Sequence, residues 1–66
     1  MRTVKAKEYD CLFVGYGPVM SRVIIQCDDT WEILFETADY VLLTRDRVDI
    51  QVSREYYEKM FIENKG

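Results

Sequence analysis

The stretch from Ser21 to Val52 contains four short segments rich in β-branched and aromatic residues, separated by turn-forming residues. Such residues favour extended strands, and tight turns between consecutive strands make neighbours antiparallel. Apolar side chains occupy both odd and even positions of these segments, so both faces of the resulting sheet carry apolar groups. A sheet of this kind must be covered on both sides, by the rest of the chain or by a partner.

Alternation of apolar and polar residues, interrupted by Gly, Pro and Asp, predicts where the strands begin and end. We expect strands at residues 9–14, 21–27, 31–36, 40–44 and 48–52. In the third of these, Trp31, Ile33 and Phe35 are expected to face the core. Gly15 and Gly17 form a G-x-G, but no third glycine and no helix start follow. We therefore interpret this segment as a turn rather than a phosphate site.

The residue pattern changes at Ser53, which is a preferred N-cap residue for a helix. Apolar residues then recur at helical spacing up to a helix end expected near Glu63, and they are Tyr56, Tyr57, Met60 and Phe61. The sequence therefore predicts one domain over residues 1–66 with a mainly β, α+β fold. Two architectures satisfy the pattern: a small antiparallel five-stranded meander, or an SH3-like or Sm-like barrel, each with one C-terminal helix. That helix is expected either to plug an open barrel end or to cover the second sheet face.

Chain length and composition exclude several classes of protein. The 66 residues carry a formal net charge of -3 and include no histidine and two cysteines, Cys11 and Cys27. So short a chain buries only about 60% of its unfolded surface, so self-association is an expected source of stability. Two thiols do not make a four-ligand zinc site, and we expect neither a metal nor a cofactor. The charged start and the lack of a long apolar run predict a cytoplasmic protein without signal peptide or membrane span, with both thiols reduced and buried.

The sequence shows no catalytic constellation. Without histidine, a nucleophilic Ser or Cys lacks its most common general base. Glu32 and Glu36 are expected on one strand face with backbones about 13 Å apart, which exceeds the usual separation of paired glycosidase carboxylates. Asp28 and Asp29 adjoin in a turn, where aspartate more often shapes the turn than binds a cation. We therefore expect no enzymatic activity.

A small apolar island on the second sheet face is the candidate partner-binding site. It is predicted to contain Ile24, Leu34 and either Val41 or Leu43, with a rim that includes Glu32 and Glu36. An apolar centre with a charged rim is typical of surfaces that bind proteins. If instead the C-terminal helix covers the island, the outer surface is plain.

Two hypotheses of function follow. The first is a non-enzymatic protein-binding module, a small accessory regulator or inhibitor such as a phage or mobile element encodes, which docks on a larger protein, forms a homodimer, or both. The alternative is a small β-barrel nucleic-acid-binding protein, whose contacts are expected to be Lys5, Lys7, Tyr16, Arg45 and Arg47. The negative net charge and the separation of the basic residues into two groups disfavour the alternative.

Overall fold

The computed structural model of the chain describes residues 2–16 and 18–64, and for Tyr16 it describes the backbone alone. The fold is mainly β with one helix near the C-terminus, as the sequence predicts. The elements are β1 (Thr3–Ala6), β2 (Asp10–Tyr16), β3 (Val19–Ile25), β4 (Thr30–Glu36), β5 (Tyr40–Arg45), β6 (Val48–Ser53), α1 (Arg54–Met60) and β7 (Phe61–Glu63).

The strands form two antiparallel sheets. Five strands make a sheet of order β6-β5-β4-β1-β7, while β2 and β3 form a separate hairpin. Among the described residues neither sheet closes into a barrel, which decides between the two predicted architectures in favour of the open sheet. The meander of β4, β5 and β6 is present, but β3 does not join it, because β3 pairs with β2 and β1 takes the place beside β4. β1 and β7 are short strands that the sequence analysis does not predict.

The helix begins where the sequence predicts and ends earlier. The Ser53 hydroxyl accepts a hydrogen bond from the Tyr56 N–H at 3.0 Å, which caps the first turn. The helix ends at Met60 rather than near Glu63, because Phe61 adopts an extended backbone and pairs with β1 as the first residue of β7. An edge strand thus replaces the predicted last helical turn.

One face of the five-stranded sheet, which we call the covered face, forms the core with α1 and the base of the hairpin. Its buried side chains are Val4, Ala6, Trp31, Val41, Leu43, Ile50, Val52 and Phe61. From α1, Tyr57 and Met60 are buried against them, and from β3, Ile25 is fully enclosed. Trp31 is 1% exposed, which confirms that it packs in the core.

A β-bulge in β4 inverts the alternation of side chains along that strand. Leu34 is the extra residue, because its neighbours pair with consecutive residues of β5, Ile33 with Leu43 and Phe35 with Leu42. A one-residue shift moves every later side chain to the other face of the sheet. Phe35 therefore lies outside the core, and Glu36, which pairs with Val41, lies on the covered face. Strict alternation predicts the reverse for both residues.

A candidate protein-binding surface

The outer side of the five-stranded sheet, which we call the open face, contains no fully buried side chain among the described residues. Paired residues of antiparallel strands share a face, so the pairing of Leu42 with Phe35 and with Gln51 places all three here. Tyr40 lies two residues before Leu42, and its ring centroid is 6.4 Å from that of Phe35. Phe35 is 55% exposed. An apolar centre therefore remains accessible on this face.

The outer half of the β2–β3 hairpin, which we call the arm (residues 13–16 and 19–22), is a second exposed apolar element. Phe13, Val19 and Met20 are 67%, 69% and 59% exposed. Leu12 and Val23 at the base of the hairpin pack against the core, and so does Val14 in the arm. The other described side chains of the arm are exposed. The molecule measures 40 Å along its longest axis and 25 and 21 Å along the others.

Two hydrogen bonds to Asp10 fix the base of the hairpin. The Tyr56 hydroxyl of α1 donates to Asp10 Oδ2 at 2.6 Å, and the Cys11 N–H donates to Asp10 Oδ1 at 2.8 Å. These bonds, with the Tyr56 bond the stronger influence, lower the pKa of the Asp10 carboxyl. Burial first, and then the same hydrogen bond, raises the pKa of the Tyr56 hydroxyl. The arm thus extends from an anchored base.

Gly15 allows the two strands of the arm to approach each other closely. It pairs with Met20, and a Cβ at Gly15 would overlap the Val19 carbonyl oxygen and lie 2.8 Å from the Met20 Cα. A side chain here would therefore push the strands apart. This contact explains the glycine by backbone geometry. Gly15 lies within β2, two residues beyond Phe13, rather than in the turn that the sequence predicts.

An open cleft of about 820 Å³ lies between the arm and the open face. Its lining consists of Phe13, Val14, Gly15, Val19 and Ser21 from the arm and Leu42, Asp49 and Gln51 from the open face. Apolar side chains thus meet from two sides, and the exposed carboxylate of Asp49 lies on the wall formed by the edge strand β6. An open site of mixed apolar and polar character suits a segment of polypeptide better than a small molecule, which proteins usually enclose.

The centre of the island predicted from the sequence is buried. Val41 and Leu43 lie two residues apart on the covered face of β5, and both are fully enclosed. The helix α1 covers this face. Because the apolar run of β5 offers side chains to both faces, packing alone decides which set is buried. The apolar residues of β5 on the open face are Tyr40 and Leu42, and both are half-buried. Val41 and Leu43 are therefore not accessible to a partner.

The predicted rim residue Glu36 also lies on the covered side. Its carboxylate accepts hydrogen bonds from Arg2 at 2.8 Å and from Arg54 at 3.2 Å, and Arg2 also pairs with Glu63. These bonds, that of Arg2 first, lower the pKa of Glu36. Glu36 therefore ties the start of the chain to the start of the helix, a structural role that follows from the bulge.

Of the three remaining candidates, Glu32 and Leu34 lie two residues apart on β4, while Ile24 lies in the separate hairpin. Leu34 is 47% exposed at the bulge, and Glu32 is half-buried on the open face, where it pairs with Thr44. Ile24 lies in the hairpin, half-buried, beside a smaller pocket of about 160 Å³ that Trp31 and Arg45 also line. Besides Leu34, the exposed apolar residues of the arm and the open face are Phe13, Val19, Met20 and Phe35, which were not selected from the sequence. The only sequence signal for the arm is its run of apolar residues on both sides of a Gly-Pro turn.

The basic residues of the nucleic-acid hypothesis meet at one end of the sheet. β1 and β5 both run antiparallel to β4, so Lys5 and Lys7 lie at the same end as Arg45 and Arg47. Carboxylates occupy this end as well, since Arg45 pairs with Asp29 at 3.4 Å and with Asp46 at 3.8 Å. The Tyr16 side chain lies outside the described residues. The sheet thus brings the two groups together and partly neutralises them.

The described residues contain no group of three or more Cys, Asp or Glu side chains placed to hold a metal ion. Cys11 and Cys27 are both free. Cys27 is exposed, and its thiol donates to the Lys7 carbonyl oxygen at 3.2 Å, so the expectation that both thiols are buried is wrong for Cys27.

Comparisons with protein-family models, with curated proteins and with solved structures give no match. The helix described here, over residues 54–60, is too short to cross a membrane, and the described residues contain no other helix.

Proposed function

We propose that this chain is a non-enzymatic protein-binding module that binds another protein through the arm and the open face. The cleft between them carries the proposal, because it places apolar side chains from two elements around an open site. Phe13, Val19 and Phe35 are more than half exposed. Enclosing an apolar side chain of this size contributes about 1.5–3 kcal/mol, so a partner that covers these groups gains a substantial part of its binding free energy from them.

A module of this kind acts by occupying the surface of its partner. As a regulator or inhibitor it needs an apolar element that projects from a folded body, and the arm, whose base is anchored to α1, is such an element. We place this module in a reducing, cytoplasmic setting, where thiols such as those of Cys11 and Cys27 stay reduced.

The test is affinity capture from the native host with three baits: wild type, Phe13→Glu and Tyr9→Glu. Tyr9 lies outside the arm and is 64% exposed, so it is a matched control for Phe13. We expect a protein that binds wild type and Tyr9→Glu but not Phe13→Glu, and that keeps this preference when purified and mixed with each bait. Self-association with the same dependence on Phe13 also meets the proposal. If neither occurs, the proposal is wrong.

Nucleic-acid binding remains a second candidate because the sheet brings four basic residues to one end. Its barrel premise is lost, since the sheet is open. A Lys5→Glu, Arg47→Glu double variant tests it against wild type by anisotropy of a labelled single-stranded oligonucleotide at several salt concentrations. Salt-dependent binding that the double variant loses supports this candidate, and equal, weak binding by both proteins excludes it.

A further inference from the structure

We infer that the partner that fills the cleft is a second copy of this chain, with the arm of each copy inserted into the cleft of the other. This inference rests on the proposed function, since it names the occupant of the same surface.

The shapes of the arm and the cleft are the first argument. Each copy carries a projecting apolar arm and, directly beside it, an open cleft lined by Val14, Val19 and Leu42. In a dimer with a two-fold axis, the arm of each copy can enter the cleft of the other. Each copy then contributes both its arm and its cleft to the interface. Symmetric pairing of this kind is the commonest form of protein assembly.

Charge is the second argument. Arg22 lies on the arm directly across the hairpin from Phe13, and Asp49 lies on the cleft wall. Both are exposed, and neither takes part in an ion pair among the described residues. Reciprocal insertion brings Arg22 of each copy toward Asp49 of the other. A pair of this type at the rim of an interface mainly sets orientation and partner choice.

Area is the third argument. A stable dimer buries about 600–800 Å² on each subunit, which is roughly one eighth to one sixth of the 4928 Å² of this chain. A contact between two arm tips would involve only a few side chains. Reciprocal insertion would cover both sides of the arm together with Leu42 and the surrounding open face, and it would do so in both copies. We therefore favour the reciprocal arrangement as the one that covers more of each subunit.

Sedimentation equilibrium up to high micromolar concentration tests the inference. We expect wild type and the control Tyr9→Glu to dimerise, and Phe13→Glu to raise the dissociation constant at least about 30-fold, as for the loss of an interface hot spot. Circular dichroism checks that each variant is folded, and Val19→Glu, at a site as exposed as Phe13, replaces Phe13→Glu if that variant unfolds.

A charge exchange makes the test specific for the arm and the cleft. Arg22→Glu and Asp49→Arg are each expected to weaken the dimer about 10-fold, and the double variant to restore it to within about 3-fold of wild type. A dimer that Phe13→Glu leaves unchanged, or single variants that the double variant does not rescue, would overturn the inference. A strictly monomeric wild type also overturns it, but the proposed function then stands if a captured host protein still depends on Phe13.

Discussion

Deletion of Leu34 should leave the fold intact, although it removes a residue from the middle of a strand at the centre of the sheet. Because Leu34 is the extra residue of the bulge, its deletion keeps Ile33 opposite Leu43 and Phe35 opposite Leu42. The covered face retains all its buried side chains. The main loss is that of a half-exposed leucine, so we expect the free energy of unfolding to fall by about 1 kcal/mol.

If β4 had no bulge, the deletion would lower the free energy of unfolding by more. If β4 alternated strictly, Phe35 would belong to the core, and removal of Leu34 would turn it toward solvent at an added cost of about 1.5–3 kcal/mol. A chain of this size is stable by only about 3–10 kcal/mol, so the two outcomes are well separated. Urea unfolding followed by the fluorescence of Trp31, the single tryptophan, measures the difference.

Deletion of Gln51 is the matched control. β6 pairs with β5 without a register shift from Val48 to Ser53, so this deletion moves the buried Val52 to the open face and displaces the N-cap of the helix. We expect a loss of at least about 3 kcal/mol. Equal losses for the two deletions would refute the bulge and, with it, the assignment of Phe35 to the open face.

Four further predictions address the core, the hairpin and the turns. Leu43→Ala should cost about 2–5 kcal/mol of unfolding free energy and Leu34→Ala less than about 1.5 kcal/mol in urea titrations, since Leu43 is enclosed and Leu34 is half-exposed. Tyr56→Phe should lower the free energy of unfolding between about pH 4 and pH 10. Because the fold lowers the pKa of Asp10, the stabilisation from its hydrogen bond is present above pH 3.8 and is lost as the pH falls through the lowered pKa. The urea midpoints of variant and wild type should therefore converge in strong acid. The raised pKa of Tyr56 likewise keeps its contribution below pH 10, and it is lost only as the pH rises through the raised value. Gly15→Ala should spread the arm, weakening self-association in sedimentation while leaving the urea midpoint of the core nearly unchanged. Arg47→Gly should raise the free energy of unfolding by up to about 1 kcal/mol, because Arg47 has a φ of 68° in the β5–β6 turn and glycine adopts positive φ without steric cost. Thermal unfolding should show a higher midpoint, and a lower one would contradict the turn geometry.

Features set by a few neighbouring residues could be predicted from the sequence. Ser53 caps the helix because its hydroxyl reaches an N–H three residues on, which is a local contact. The reversal at Asp46 and Arg47 likewise depends on the turn itself, where both residues have positive φ. These signals are sufficient for the fold class, the meander of β4 to β6 and the start of the helix.

The faces of the sheet could not be predicted, because they depend on contacts between distant segments. Nothing within β4 marks Leu34 as the extra residue, and the apolar run of β5 satisfies either assignment of its faces. The insertion of β1 beside β4 joins residues at opposite ends of the first half of the chain, and it separates β3 from the meander. The bulge was enough to move Phe35 to the open face, while the pairing of Leu43 with Ile33 holds Leu43 on the covered face.

The arm was predicted as strand only at residues 13–14 and 21–22, and it was not predicted as an exposed element. Its residues Phe13, Val19 and Met20 resemble core residues in the sequence, and only the separate pairing of β2 with β3 shows that no neighbouring strand covers them. Exposed apolar groups of this kind are informative because the pattern of a single sequence does not distinguish them from a core.

Isotope-filtered nuclear Overhauser spectroscopy on a mixture of ¹³C-labelled and unlabelled chains tests the reciprocal arrangement most directly. If the arm of each copy inserts into the cleft of the other, intermolecular contacts are expected between the Met20 methyl group of one copy and the Leu42 methyl groups of the other. Intermolecular contacts that involve only the edge strand β7, at Ile62, or their complete absence at high micromolar concentration, would contradict this arrangement.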